Sequence, residues 1–191
     1  MIRDFYIENI RRQMSVTPTM EQDTAMRLFA EYMTCRDDHP VFILNGAAGT
    51  GKTTLASAIV RALMEMKQKI VLMAPTGRAA KVFSLYSGQS AYTIHRRIYR
   101  QRTGAVGLEG FSLNDNLHTD TLFIIDEASM IANQGYGGGG FGSGRLLDDL
   151  MQYVNGGRNC RRNKQRDIDE QRQIASMSFS GFSFAHSSIT S

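Results

Sequence analysis

Cysteine is scarce in this chain of 191 residues: Cys35 and Cys160 stand alone, far apart and without the close spacing of a metal-ligand pair. Neither a disulfide framework nor a cysteine metal site is therefore expected, and both thiols read as free. Long apolar runs are missing as well; none approaches the ~18 residues of a membrane span. The opening residues Met1-Ile2-Arg3-Asp4-Phe5-Tyr6 lack the apolar centre of an export signal. A cytoplasmic setting with no membrane partner is the expectation. Charge is not extreme either. The net charge of +4 permits a polyanionic partner without demanding one. With 42% hydrophobic and 21% charged residues, the composition is that of a globular domain, with or without a tail.

What is present is concentrated in one stretch. Val41-Phe42-Ile43-Leu44 runs into Asn45-Gly46-Ala47-Ala48-Gly49-Thr50-Gly51-Lys52-Thr53-Thr54. Gly46, Gly51, Lys52 and Thr53 fill the phosphate-loop pattern G-x-x-x-x-G-K-[ST] without a mismatch. Glycines let the backbone turn so that successive N–H groups converge on an anion, and the following helix adds the positive end of its dipole. Residues 46–54 are the candidate nucleotide cradle. Lys52 would reach the β- and γ-phosphates, and the Thr53 hydroxyl would sit on Mg²⁺.

The surrounding pattern is α/β. Residues 2–13 suggest an amphipathic helix, and Thr19 can cap a second one carrying Ala25, Leu28, Phe29, Tyr32 and Met33 at helical spacing. Lys52 onward continues as a helix with Leu55, Ile59, Ala62 and Leu63 on one face. Residues 70–74 and 121–125 are short apolar runs, read as buried parallel strands. Residues 78–85 read as a helix, 91–102 as a further, strongly basic helical stretch, and 103–119 as a loop. Residues 135–144 hold seven glycines in ten, too many to pack by themselves. Arg145 to Val154 resumes as a helix. Beyond Cys160 the periodicity is lost, and residues 162–191 read as a disordered or poorly packed tail.

Two further segments carry chemistry. The strand Leu122-Phe123-Ile124-Ile125 ends in Asp126-Glu127, about 70 residues after the loop. At the carboxyl end of a parallel strand Asp126 would hold Mg²⁺ through water, and Glu127 would polarise the attacking water. That pairing favours hydrolysis of a nucleoside triphosphate over phosphoryl transfer to a metabolite. Pro75-Thr76-Gly77-Arg78 follows the second strand on the same edge. Its N–H groups, hydroxyl and guanidinium suit phosphodiester contacts, and equally a capped helix start with a solvated arginine.

The segments GAAGTGKTT, APTGRAAKVFS, AYTIHRRIY and FIIDEASMI, in this order, resemble superfamily 1 DNA helicases of the RecD type, the exodeoxyribonuclease V alpha-subunit group. The resemblance covers about residues 15–161 and implies a RecA-like P-loop NTPase domain, a mostly parallel sheet flanked by helices. It implies ATP and Mg²⁺ as cofactors and single-stranded DNA as a 5′→3′ track; it names no protein partner. Family roles would fall on Lys52, Asp126 and Glu127 for catalysis, Thr53 and Asp126 for the metal, and Thr76, Gly77 and Arg78 for the DNA backbone. Gln22 resembles the family's adenine-reading glutamine. Thr93 and His95 match a segment near the DNA path, where His95 is either structural or a DNA contact.

The match stops near Arg161. The family would continue with another hydrophobic strand and Gly-Asp-x-x-Gln-Leu-Pro-Pro; here Arg162-Asn163-Lys164-Gln165-Arg166 follows, as a frameshifted or shortened reading frame would give. The expected division is therefore residues 1–40 as a helical segment, 41–161 as a RecA-like domain incomplete at its C-terminal end, and 162–191 as the divergent tail. The missing strand would normally lie between the phosphate-loop strand and the Asp-Glu strand, leaving Phe42 and Leu44 uncovered on one side unless the Ser-Phe alternation of 176–191 inserts as a substitute strand. Two functions follow: an ATP-dependent helicase motor, or a truncated nucleotide-binding module with little hydrolysis.

Overall fold

The computed structural model describes residues 1–36, 40–47, 49–101, 110–131 and 142–156, and the backbone of 173–178. Two helices come first, α1 (Ile2–Gln13) and α2 (Met20–Tyr32). A β–α–β unit follows: β1 (Val41–Asn45), α3 (Lys52–Glu65) and β2 (Lys69–Ala74). Next are α4 (Gly77–Ser87), β3 (Ala91–Thr93), α5 (Ile94–Ile98), β4 (Tyr99–Gln101) and β5 (Phe111–Leu113). Then come β6 (Thr121–Ile125), α6 (Leu146–Asn155) and β7 (Gln173–Ser178).

The main sheet has the order β1-β7-β6-β2-β3, and every neighbouring pair in it is parallel. All five carboxyl ends therefore lie on one edge. Side chains alternate across the sheet with period two. Leu72, Leu122 and Ile124 face one way, into a core with Phe42, Leu44, Phe29, Leu63 and Phe83. Val71, Met73, Phe123 and Ile125 face the other, into a second core with Ile94, Ile98, Leu150 and Val154. The result is three layers, helix–sheet–helix. Tyr6 and Ile10 of α1 and Met26 and Phe29 of α2 belong to the first core, so residues 1–36 pack as part of the same body. Thr19 caps α2: its side chain accepts from Gln22 N. Arg61 ties the layer together by donating to the Gln13 carbonyl and to the Tyr86 carbonyl, each at 2.9 Å.

Three sequence expectations are corrected. Residues 91–101 are not one helix but a strand, a five-residue helix and a second strand. Thr93 ends the strand and caps the helix by accepting from Arg96 N at 3.3 Å. Part of the expected loop at 103–119 is β5, which pairs antiparallel with β4. The place beside β1 is filled: β7 runs parallel between β1 and β6, with Val41 opposite Ile174 and Leu122 opposite Gln173. Backbone partners for β1 thus come from within the segment that periodicity left without structure. The rest of 162–191 lies outside the described residues.

Most of the glycine-rich stretch also lies outside them, but its end does pack. Gly142 N donates to Phe111 O at 3.0 Å and Ser143 N donates to Asp149 Oδ2 at 2.9 Å. Asp149 Oδ2 also accepts from the buried Tyr99 hydroxyl at 2.6 Å. A Cβ on Gly142 would collide with both Asp149 and Tyr99, so only glycine fits this closure.

Phe123 shows how the second layer is held. It is fully buried, with edge-to-face rings at 5.7 Å (His118) and 6.1 Å (Tyr153). Phe123→Ala is expected to cost ~3–5 kcal/mol of unfolding free energy, read from urea denaturation. A loss under ~1 kcal/mol would mean that this layer is not a packed core.

Candidate active site

Local sequence builds the cleft at the carboxyl edge. β1 delivers Gly46, and α3 begins at Lys52 with Gly51 before it at φ 78°. That left-handed value favours glycine, and a Cβ at Gly51 would lie 2.5 Å from Gln22 Nε2, so the Gln22 amide would also have to move. Lys52 is 7% exposed and folds back over the loop, its amine donating to Gly46 O at 2.6 Å and to Ala47 O. Thr50 closes the turn by donating its hydroxyl to Ala47 O at 2.9 Å. Ala48 lies outside the described residues.

β6 brings the acids to the same place. Asp126 N donates to Met73 O at 3.0 Å, which extends the β2–β6 pairing by one bond and fixes the strand end. Asp126 is buried, and its Oδ1 accepts from Glu127 N at 3.0 Å. Glu127 stands at φ 56°, a left-handed backbone that an acidic residue rarely adopts, and starts a short 3-10 turn over Ala128–Met130. β2 leads into Thr76, whose hydroxyl caps α4 by accepting from Ala79 N at 3.2 Å.

The start of α3, the Thr76 turn and the Asp126–Glu127 pair line one cleft of about 480 Å³, while the described residues from Gly46 to Lys52 are not among those lining it. Thr53, Thr54, Thr76, Arg78, Asp126 and Glu127 all border it. Electrostatics in it are coupled. Burial pulls the Lys52 amine below its ordinary range, opposed by Glu127 and Asp126. Burial raises the Asp126 carboxyl, opposed by the Glu127 N–H bond and Lys52. Burial and the charge of Asp126 raise Glu127.

The other candidates fall nearby. Gln22 is buried beside the loop and does not line the cleft. Its Oε1 accepts from Thr19 N at 3.0 Å, and its Nε2 donates to Thr50 O at 3.3 Å. Gly77 opens α4 and is exposed next to Arg78. Thr93 pairs with Ala74, so it stands on the same sheet edge as the Thr76 turn. His95 is half-buried, with its ring 5.8 Å from that of Tyr99. Sequence reasoning did not single out Val82, Tyr86 and Met130, which form an apolar rim to the cleft. Arg78, Val82 and Tyr86 recur every four residues along α4, a spacing that was legible.

The donor set suits a nucleotide that arrives with its metal. Among the described residues no cluster of His, Cys, Asp and Glu could hold an ion alone. Thr53 and Asp126 offer two hard oxygen donors, as Mg²⁺ shared with phosphates requires. The buried Lys52 amine, held by the Gly46 and Ala47 carbonyls and facing the Thr50 hydroxyl at 3.5 Å, is a cation that can trade such oxygens for those of a phosphate.

Comparison with known proteins agrees with this geometry. Residues 19–136 match the family model described as AAA domain, which is more than half of the chain. The chain belongs to the AAA domain family. Within it, the matched part is a superfamily 1 helicase-like P-loop domain. The ATP-dependent RecD2 DNA helicase of Deinococcus radiodurans is 32% identical over 99 residues, 50% of this chain and 13% of that protein. The ATP-dependent DNA helicase dda of Enterobacteria phage T4 is 51% identical over 53 residues, 27% of this chain and 12% of that protein. An uncharacterized protein of Methanocaldococcus jannaschii, MJ1519, is 31% identical over 137 residues, 65% of this chain and 12% of that protein. This AAA domain chain thus spans only 12–13% of the length of these relatives. Among the described residues no helix is long and apolar enough to cross a membrane.

The raised Asp126 carboxyl has a consequence for stability. An acid whose folded pKa lies above its unfolded value is most favourable when protonated; its contribution worsens as pH rises through that window. At pH 7 the charged Asp126 therefore burdens the nucleotide-free fold. Asp126→Asn is expected to melt at a higher temperature than wild type at pH 7, with the gap closing as pH falls toward ~4. A variant that melts lower at pH 7 would contradict this.

Proposed function

We propose that this AAA domain binds ATP with Mg²⁺ at its carboxyl edge and acts as the motor domain of a DNA helicase, coupling hydrolysis to movement along single-stranded DNA. The observation that carries the reading is the one cleft bordered by Thr53, Asp126 and Glu127 together with Thr76 and Arg78. Nucleotide chemistry and a backbone-contacting turn share one cleft.

In this reading the loop N–H groups and Lys52 bind the phosphates. Thr53 and Asp126 would hold Mg²⁺, which when bound would neutralise charge developing on the phosphoryl oxygens. Glu127 orients water and takes its proton; its upward shift moves a carboxylate toward the range useful to a general base. Thr76, Gly77 and Arg78 contact DNA phosphates, with Thr93 and His95 further along the edge. Gln22 reads the adenine edge after releasing Thr50 O. A cytoplasmic setting is consistent with these substrates.

A second reading rests on Arg78 being the one arginine among the described residues that lines the cleft. Related nucleotide hydrolases gain ~10³–10⁵ in rate from an arginine supplied opposite the γ-phosphate. Without one, the chain binds nucleotide and turns it over slowly, as a binding module. Steady-state ATP hydrolysis with and without single-stranded oligonucleotide separates the readings. The motor reading expects turnover that rises with DNA and falls by ~10²–10⁴ in Glu127→Gln with nucleotide affinity retained. Slow turnover indifferent to DNA favours the module, and absence of nucleotide binding removes both.

A further inference from the structure

A second cleft opens at the other end of the strands, where β2, β3 and β6 begin. It holds about 600 Å³. Among the described residues its charged lining is Lys67, Lys69 and Arg97, with His118 beside them and no carboxylate. Lys67 and Lys69 are exposed, and neither they nor Arg97 appear in an ion pair among the described residues. The Arg97 guanidinium lies 5.5 Å from the ring centroid of Tyr92 and contacts His118 Nε2. Its Nε is buried and makes no hydrogen bond among the described residues. Tyr92 itself is 37% exposed and carries a second guanidinium, that of Arg96, at 5.9 Å.

We propose that this cleft is a second contact for the phosphate backbone of a single-stranded nucleic acid that bends around the β3 edge. The inference rests on the nucleic-acid reading of the carboxyl edge and extends it. Three cations with no carboxylate beside them in the cleft among the described residues attract a polyanion and release its counterions. The buried, unsatisfied Arg97 Nε can gain an oxygen acceptor from a ligand. The exposed ring of Tyr92 beside planar guanidinium groups is a surface on which a base can stack.

Geometry selects this occupant over an acidic peptide. A peptide would add as a strand to the open edge of β2, since β3 covers only Leu72–Ala74. That edge is three residues long, Lys69 to Val71, against ~5–6 for a usual strand, so main-chain pairing gains little. A nucleic acid needs no such edge. β3 spans only three residues, ~10 Å, so a strand bound at Thr93 has the cleft within a few nucleotides.

The test is fluorescence anisotropy of a labelled oligothymidylate at several salt concentrations. Wild type, Lys67→Ala/Lys69→Ala and Arg78→Ala are compared, with melting temperatures as a control on folding. The double lysine variant is expected to melt like wild type, bind more weakly at low salt, and show a salt dependence of log K shallower by ~1.4, for two lost phosphate contacts. Arg97→Gln should weaken binding in the same direction. A double variant with wild-type affinity and slope, alongside a weakened Arg78→Ala, overturns the cleft and leaves the carboxyl-edge reading intact. Loss in the double variant with Arg78→Ala unchanged keeps the cleft and removes the carboxyl-edge contact. Lysine-dependent preference for polyglutamate over the oligonucleotide overturns the nucleic-acid occupant, and a wild-type chain that binds no oligonucleotide at low salt overturns both.

Discussion

Strands β2 and β6 pair in parallel from Lys69 opposite Thr121 to Met73 opposite Ile125, and one more bond carries the pairing to Asp126 N. Everything chemical in the molecule depends on that ladder. It sets the end of β6 beside the end of β2, so the Asp126-Glu127 pair and the Thr76-Arg78 turn open into one cleft. Because the pairing is parallel, the phosphate loop at the end of β1 opens on the same edge. The alternation that puts Leu72 and Ile124 in one core and Met73 and Ile125 in the other anchors the register from both faces.

The cleft is costly to the fold that holds it. Lys52 and Asp126 are buried charges, each pushed toward its neutral form by desolvation and drawn back by its neighbours. Glu127 adds a left-handed backbone and a raised carboxyl. Strain and unfavourable charge are gathered at one edge of the sheet, as is common where a ligand is bound. The basic cleft at the opposite edge is different in kind: its lysines are exposed and cost the fold little.

Much of this was legible from residue types. The phosphate loop is a backbone constraint written in glycine, and β6 is a run of apolar residues with no other place to go. The Thr19 cap of α2 and the burial face of α3 follow from local pattern. Residues 91–101 were not legible, because three short elements change period every few residues and none is long enough to establish one. β7 was hidden for another reason. Gln173-Ile174-Ala175-Ser176-Met177-Ser178 lacks the continuous apolar run expected of a parallel strand between two others. The closure of Gly142 on Asp149 and Tyr99 joins residues far apart in sequence, and a glycine-rich stretch gives no sign of it. Gln22 was singled out for adenine, while its bonds to Thr19 and Thr50 brace the loop itself.

The central claim is that the carboxyl edge is an assembled ATP·Mg²⁺ site whose buried cation is Lys52. Titration of the 191-residue chain with a fluorescent ATP analogue, with and without Mg²⁺, in wild type and Lys52→Ala, tests it most directly. The account predicts saturable binding by wild type that tightens with Mg²⁺ and is lost in Lys52→Ala. Equal binding by the two proteins, or none by a folded wild type, would contradict it.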